Sequence, residues 1–270
     1  MNKDLSQLLK KVTQVVVFIV LTAITQIGGV VFCISIYLYR KYDIRTGWKK
    51  VVLAMLSYLA ATFIIVPVLA SLCGREKVIH SDRIKPTSYF TVLSNRNYVK
   101  PELNQLLASA EKKLVGSTIE LRYLDANFPF FDGFPLLPHL SHNDGKKLDL
   151  SLVYETLNGQ IVNEKKSISG YGVFEEPMDN EYNQSEMCLS KGYFQYDYPK
   201  YLTFGKINST LNFSHIGTKK IIDALLADHD LEKLFIEPHL KRRLSLNDQR
   251  VRFHGCGAVR HDDHIHIQIK

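Results

Sequence analysis

The chain has 270 residues, a hydrophobic content of 46% and a formal net charge of +7 at pH 7. This length allows one or two domains, and the hydrophobic content allows a sizeable core. The sequence has no helix-turn-helix, zinc-finger or aromatic–basic recognition pattern, so we expect no nucleic acid as a partner, and the excess charge suits an anionic surface such as lipid headgroups or cell-wall polymer.

Two long uncharged runs near the N-terminus predict a membrane anchor. No charged residue occurs in residues 12–39 or in residues 51–73, and each run exceeds the ~20 residues with which a helix crosses a bilayer. A cleaved signal peptide is the competing interpretation of the first run, but this run is too long for one and a second run follows it. We therefore expect an anchor, residues 1–75, with two transmembrane helices in the lipid bilayer.

The connection between the two runs predicts the orientation of the chain in the membrane. Its sequence RKYDIRTGWKK, residues 40–50, carries five basic residues and one acid. The positive-inside rule places this connection in the cytoplasm. Two spans then place both termini outside, so we expect a protein of the inner (plasma) membrane with an extracytoplasmic C-terminal domain. The N-terminal residues Lys3, Lys10 and Lys11 oppose this arrangement.

The remainder of the chain predicts a linker and one folded domain. Residues 76–101 are polar and broken by proline, which is typical of a juxtamembrane linker. In the domain, residues 102–270, the patterns predict helices over 102–114, 217–227 and 238–244, strands over 117–124, 148–154, 234–236 and 264–269, and long loops over 159–213. This mixture has no regular βαβ alternation, so we expect an α+β domain built on an antiparallel sheet.

The last predicted strand, HIHIQI, carries histidine at alternate positions. Side chains two residues apart on a strand share a face, so His264 and His266 should lie together, opposite the isoleucines. Two imidazoles on one face suit a metal site, although H-x-H alone is a weak motif. A polar strand end on a solvated edge is the alternative interpretation.

A second histidine-bearing segment, SHNDGKKLDLS, could complete such a site. His142 lies in its predicted loop and Asp149 in its predicted strand, and Gly145 permits a tight turn between them. Together with a histidine of the last strand, these residues supply three nitrogen and oxygen ligands and leave a fourth position for water. Such an open set is typical of catalytic zinc.

The order H-x-x-G-x-x-x-D followed by a distant H-x-H resembles the lysostaphin, D-Ala-D-Ala metallopeptidase and hedgehog group of zinc domains. Within that group the C-terminal block RHDDHIHIQ is similar to that of the penicillin-insensitive murein endopeptidases, and LEKLFIEPHLKRRL is similar to the segment that precedes it. The resemblance covers about residues 117–270 and excludes the two apolar runs. Lys147 departs from the small residue that is common at its place in the D-Ala-D-Ala peptidases.

The resemblance implies specific roles for five residues. It makes His142, Asp149 and His266 the ligands of Zn²⁺, and it places His264 and His261 in the active site as catalytic histidines. Either of these two histidines could be the general base. The implied protein is a membrane-anchored zinc metallopeptidase, a hydrolase of murein endopeptidase type that cleaves amide bonds in the stem peptides or cross-links of cell-wall peptidoglycan. The alternatives are a D,D- or L,D-carboxypeptidase and a non-catalytic zinc-bearing binding module of hedgehog type.

Other residues near the two motifs have weaker predicted roles. His139 and His254 could line the cleft, and the aspartates beside the motifs could hold ligand imidazoles by hydrogen bonds, namely Asp144, Asp262 and Asp263. Cys188 and Cys256 would both lie outside the membrane, where a disulfide is permitted. Their pairing stays open at this stage, and no protein partner is predicted.

Overall fold

The N-terminal apolar run forms a helical hairpin. In the computed structural model, which describes residues 3–270, α1 (Lys3–Thr25) ends before Gln26, whose positive φ of 65° reverses the chain, and α2 (Gly28–Lys41) follows. A Cβ atom on Gly29 would lie 2.7 Å from the carbonyl oxygen of Phe18, whereas a continuous helix would hold these residues about 16 Å apart. The expected single span over residues 12–39 is therefore corrected to two antiparallel helices.

The second apolar run forms one long helical rod. It consists of α3 (Gly47–Ala60), a π-helical segment (Ala61–Ile65) and α4 (Val66–Leu72). Pro67 has no N–H to donate to the preceding turn, so the helix widens into the π-helical segment just before it. Among residues 3–270, two helical stretches are long and apolar enough to cross a membrane, Asp4–Thr25 with a mean hydropathy of 1.8 and Gly47–Leu72 with a mean hydropathy of 2.4.

The rest of the chain folds into a mixed α+β domain. Its strands are β1 (Glu76–Lys77), β2 (Ile84–Pro86), β3 (Tyr98–Val99), β4 (Leu121–Tyr123), β5 (Lys147–Ser151), β6 (Tyr154–Glu155), β7 (Ile161–Val162), β8 (Asn212–Phe213), β9 (Leu231–Phe235), β10 (Val251–Arg252) and β11 (His264–Ile269). Its helices are α5 (Tyr89–Leu93), α6 (Pro101–Lys113), α7 (Gln184–Ser190), α8 (His215–Leu226) and α9 (Pro238–Arg243), and a 3₁₀ turn covers Tyr198–Leu202.

A six-stranded sheet organises this domain, with strand order β10-β9-β11-β5-β4-β2. Its central pairs are antiparallel, as the sequence predicts, whereas the edge pairs β10–β9 and β2–β4 are parallel. Two small sheets, β1–β3 and β7-β6-β8, flank it. The segment expected to be a linker, residues 76–101, differs from that expectation, because it contains β1, β2, α5 and β3 and supplies an edge of the main sheet.

The hydrophobic core lies on one face of the main sheet. The inward side chains of β5 and β11 pack there against α6 and α8, and the cluster includes Leu148, Leu150, Ile265, Ile267, Leu103, Leu106, Leu107, Ile221, Ile222 and Leu225. Side chains alternate between the faces of a strand, so Asp149, His264 and His266 lie on the opposite face. The register of the sheet therefore separates the apolar core from the polar groups.

Candidate metal centre

The three predicted ligands meet at one point on the polar face of the sheet. His142 Nε2 lies 3.1 Å from Asp149 Oδ1 and 3.1 Å from His266 Nδ1. His266 Nδ1 lies 2.8 Å from the same carboxylate oxygen. All three residues are buried, and their ligand atoms are grouped closely enough to hold a metal ion.

Strand register and one tight turn create this convergence. His266 on β11 is paired directly with Asp149 on β5, so their side chains leave the sheet side by side. His142 reaches them from the preceding loop, which turns back at Gly145 with a φ of +80°. A Cβ atom on Gly145 would lie 3.2 Å from the Nε atom of Arg75. Glycine is therefore required here both for the backbone conformation and for the approach of the arginine.

The hydrogen bonds of His142 indicate that the cluster suits a cation. Its Nδ1 lies 2.6 Å from the carbonyl oxygen of Ala126. A carbonyl only accepts hydrogen bonds, so Nδ1 carries the proton, and the lone pair of Nε2 faces the carboxylate of Asp149. A proton or a metal ion between these two atoms removes their mutual repulsion. Ligand atoms of a tetrahedral zinc ion lie about 3.3–3.5 Å apart, which is close to the observed spacing.

A second group of potential ligands shares the carboxylate of Asp149. His139 Nδ1 lies 2.7 Å from Asp149 Oδ2, and His264 Nε2 lies 3.7 Å from Asp149 Oδ1. The rings of His139 and His264 stack with their centroids 5.4 Å apart. The structure thus brings His139, which the sequence placed at the edge of a cleft, into direct contact with the candidate ligands.

His261 and His264, the two predicted catalytic histidines, lie beside each other next to the ligands. Their ring centroids are 4.8 Å apart, and the ring of His261 lies 5.7 Å from that of His266. The backbone N–H of His261 donates to Glu237 Oε1 at 3.0 Å, which fixes the start of the H-x-x-H-x-H block. His254 packs 5.3 Å from His261 and is exposed, so the site opens to solvent on the His254 side.

The three aspartates near the motifs differ in their partners. Asp263 Oδ1 lies 2.5 Å from His264 Nδ1, the contact expected of a carboxylate that orients an imidazole. Asp262 instead pairs with Arg260, and Asp144 pairs with Lys147. Asp263 therefore leaves His264 Nε2 directed at the ligand cluster, whereas the carboxylates of Asp262 and Asp144 are paired with basic side chains.

Burial and neighbouring charges give these groups different protonation states. Burial alone would raise the pKa of Asp149, but the surrounding imidazoles lower that pKa well below its usual value. Burial opposes the charged form of His264 as well, yet Asp149 and Asp263 outweigh it and raise the pKa of His264 to about 9. Burial lowers the pKa of His266 to about 3 and that of His261 well below its usual value. His266 is thus neutral, as a ligand must be, and His264 is the charged imidazole.

Tyr171 belongs to this site, although the sequence analysis did not single it out. Its hydroxyl donates to Asp149 Oδ2 at 2.9 Å, and its ring contacts those of His139 and His264 at 4.6 Å and 5.2 Å. Gly170 and Gly172, with φ of 93° and 78°, aim the tyrosine inward from a long loop. The triplet Gly-Tyr-Gly inside a polar loop was the available signal.

A buried ion pair lies behind the backbone of the candidate ligand Asp149. Arg96 donates two hydrogen bonds of 2.7 Å to Asp125, one to each carboxylate oxygen. The backbone of Asp149 in turn bonds Leu124 and Asp125 through its carbonyl and its N–H, both at 2.8 Å. These contacts fix the backbone of Asp149. No sequence pattern predicted them.

The N-terminal helices contact the loop that carries His142. Gln26, at the tip of the α1–α2 hairpin, donates to the carbonyl of Phe130 at 3.2 Å and accepts from its N–H at 2.9 Å. Arg75, which follows α4, is 2% exposed. It donates to three carbonyls of the same loop, those of Phe128, Phe130 and Asn143. The loop is therefore held between the anchor and the sheet.

Comparison of the chain with protein-family models and with curated proteins gave no match.

Proposed function

We propose that this chain is a membrane-anchored zinc peptidase that cleaves amide bonds in the peptides of peptidoglycan. The supporting observation is that the residues of the H-x-x-G-x-x-x-D and H-x-H motifs, which are far apart in sequence, meet in one buried cluster. His261 and His264 adjoin that cluster in the order found in the penicillin-insensitive murein endopeptidases. A module that only binds a ligand has no need of these two additional imidazoles.

His142, Asp149 and His266 would hold the zinc ion. When bound, zinc supplies a Lewis acid that polarises the scissile carbonyl and makes water more acidic. His264 is kept charged by Asp263 and is placed to stabilise negative charge that develops on the substrate oxygen. His261 is neutral and lies 4.8 Å from His264, ring to ring, so we assign it the role of proton acceptor.

The helical hairpin places the basic residues of the anchor at one end. The tip at Gln26 faces the domain, so Lys10 and Lys11 on α1 lie at the far end. The connection between α2 and α3, with its own basic residues, lies at the same end, and Tyr39 there donates to the carbonyl of Lys50. Three helical passes therefore satisfy the positive-inside rule for every basic cluster, which two passes do not. In this arrangement the N-terminus is cytoplasmic and the domain is extracytoplasmic.

A disulfide supports the same placement of the domain. Cys188 and Cys256, whose pairing the sequence left open, are joined with an S–S distance of 2.02 Å. Disulfides persist in oxidising compartments and are rare in the cytoplasm. An extracytoplasmic domain of a basic, inner-membrane protein faces the anionic cell wall, which is the substrate that the motif resemblance implies.

The proposal is tested with the purified full-length protein in detergent. Defined muropeptides are incubated with it, with and without a zinc chelator, and the products are identified by mass spectrometry. We expect an amide-bond cleavage that the chelator stops, that zinc restores, and that His264→Ala slows by about 10²–10³-fold. His229→Ala, an exposed histidine remote from the motifs, is the matched control and should cleave normally. A chelator-insensitive cleavage, or none in any condition, would exclude a zinc peptidase.

A further inference from the structure

The uncharged part of the hairpin is shorter than the hydrocarbon core of a bilayer, although α1 as a whole, with Lys10 and Lys11, is long enough to cross it. The uncharged part of α1 beyond Lys11 spans about 21 Å at 1.5 Å per residue, whereas the hydrocarbon core of a bilayer is about 30 Å thick. The hairpin tip meets the domain at this point through Gln26 and Phe130. If the membrane ended at the tip, the apolar layer would be several ångströms too thin.

The α3–α4 rod continues past the hairpin tip with an exposed apolar side. Ile27 at the tip packs against residues in the middle of the rod, in a cluster with Ala61 and Val66. At that level and beyond it, the outward side chains of the rod are large, apolar and exposed: Phe63, Ile64, Ile65, Val68, Leu69 and Leu72. The uncharged part of the rod, residues 51–72, spans about 33 Å, which matches a full hydrocarbon core.

The short helix α5 of the domain adds to this apolar surface. Tyr89, Phe90 and Leu93 are 73%, 60% and 41% exposed. The carbonyl of Leu93 accepts a hydrogen bond of 2.6 Å from the hydroxyl of Tyr58 on α3. Asn95 donates to Tyr58 and to Thr62 of the rod at 3.2 Å and 3.3 Å. The exposed face of α5 is therefore continuous with the membrane-facing rod.

We propose that the domain is partly embedded in the bilayer, with α5 and the outer side of α4 in contact with the acyl chains of the outer leaflet. This inference rests on the proposed membrane insertion of the anchor. It adds apolar surface beside the hairpin, where the uncharged part of the hairpin is shorter than the hydrocarbon core. The Nζ atom of Lys77 lies 5.1 Å from the ring centre of Phe63 and can extend from there to the lipid headgroups.

Embedding α5 places the metal centre at the membrane surface. Thr91 of α5 donates to the carbonyl of Leu124 at 2.7 Å, and the N–H of Leu124 donates to the carbonyl of Asp149 at 2.8 Å. Leu124 is therefore the only residue between the lipid-facing helix and Asp149 along this chain of hydrogen bonds. The site would act on peptides presented close to the bilayer, because the domain has no linker that lets it reach outward.

Fluorescence quenching by brominated lipids tests this arrangement in the full-length protein. The chain has a single tryptophan, so Trp48→Phe gives a background in which Phe90→Trp reports on α5. Met55→Trp, an exposed position on α3, reports on insertion of the anchor, and Phe194→Trp, 80% exposed on the domain, is the water-facing control. Tyr89→Trp repeats the measurement on α5 in case Phe90→Trp does not fold.

Each tryptophan is reconstituted in vesicles whose lipids carry bromine near the headgroup end or near the terminus of the acyl chains. We expect Phe90→Trp to lose most of its fluorescence with bromine near the terminus of the acyl chains, because Leu93 and Asn95 are bonded to Tyr58 and Thr62 in the middle of the rod. Met55→Trp should be quenched, and Phe194→Trp should be unaffected. If Met55→Trp is quenched and neither α5 reporter is quenched more than Phe194→Trp, the embedded surface is overturned and the membrane anchor stands. If Met55→Trp is not quenched, insertion of the anchor fails, and the embedded surface fails with it.

Discussion

Gln26 and Phe130 form a pair of reciprocal hydrogen bonds between the membrane hairpin and the loop that carries His142. The side-chain amide of Gln26 donates to the carbonyl of Phe130 and accepts from its N–H, and Gln26 is 6% exposed. The side-chain amide thus pairs with both backbone groups of Phe130, as a neighbouring strand would. The helical hairpin is consequently part of the support of the candidate metal centre.

Substitution of Gln26 should therefore weaken metal binding from a distance. Gln26→Leu leaves the N–H of Phe130 unpaired and its carbonyl with Arg75 alone, and an unpaired buried group costs about 1–3 kcal/mol. We expect faster loss of metal from the purified full-length protein to a chromogenic chelator. Gln14→Leu, on the same helix but away from the domain, is the matched control. Equal rates of metal loss in the two variants would show that the hairpin does not support the loop.

Removal of a metal ligand should abolish metal content. We expect about one zinc per chain in the wild type and almost none in His142→Ala, Asp149→Ala or His266→Ala, measured by elemental mass spectrometry. Each of these variants leaves two ligands, which do not hold zinc in competition with water. His264→Ala should retain the metal, because Asp263 directs this histidine at the cluster as an additional group. Full occupancy in all three ligand variants would refute the ligand assignment.

The topology of the anchor has a direct test. In a cysteine-labelling experiment on intact cells, a cysteine at Thr46 and a tag at the N-terminus should both be protected from impermeant reagents, and a reporter after Lys270 should be accessible. The reason is that the hairpin returns the chain to the side from which α1 starts. Labelling at Thr46 from outside would place the domain in the cytoplasm and exclude a cell-wall substrate.

Much of the fold follows from the sequence, because periodicity is strong where an element packs on the core. The helices α6, α8 and α9 and the strand β11 agree with their predicted positions to within a few residues. The hairpin was not predicted, since an uncharged run has the same composition whether the chain continues or reverses at Gln26. The segment over residues 76–101 reads as a polar linker because its strands are two or three residues long.

The grouping of the candidate ligands was also predictable, but the groups behind them were not. The candidate ligands His142, Asp149 and His266 are of residue types that are seldom clustered without a function. Their spacing in the sequence matches a known motif of zinc ligands. Tyr171 acts through a single hydroxyl, and Arg96 acts through Asp125. Tyrosine and arginine are common in polar loops, so only the folded chain shows that they lie next to the carboxylate.

Acid should destabilise the domain through one ion pair. Hydrogen bonds from Arg243 lower the pKa of Glu181 from 4.5 to about 2. A carboxyl whose pKa is lower in the folded chain stabilises the fold above the unfolded pKa, and this contribution is lost as pH falls from about 4.5 to about 2. Because the pair is near the surface, we expect Glu181→Gln to cost about 1 kcal/mol at pH 7. The cost should shrink toward zero at pH 2.

The measurement is urea unfolding in detergent, followed by circular dichroism at several pH values. Glu186→Gln, an exposed carboxylate on the neighbouring helix α7, is the control and should leave the midpoint unchanged. A cost for Glu181→Gln that is the same at pH 7 and near pH 2 would show that the ion pair does not contribute through the charge of Glu181.

The final prediction concerns catalysis by His261 and His264. Hydrolysis by the wild type should fall in acid, at a pH below the ordinary imidazole range, because burial lowers the pKa of the ligand His266 and of the proton acceptor His261 and both must be neutral. It should also fall above about pH 9, where His264 loses the charge that Asp149 and Asp263 stabilise. His264→Ala should lower the rate by about 10²–10³-fold, the usual effect of losing one group that stabilises an oxyanion. The alkaline fall should be absent from its remaining activity.

His261→Ala distinguishes proton transfer from charge stabilisation. Its rate should be low at every pH, while the alkaline fall due to His264 remains, because the variant removes a neutral group. Metal content should equal that of the wild type in both variants, so that lost activity cannot be assigned to lost metal. A binding module predicts no turnover in any of these proteins and unchanged affinity for its partner. Equally fast hydrolysis by the wild type and the double variant would mean that neither histidine takes part in the reaction, and the H-D-D-H part of the motif would then have only a structural role.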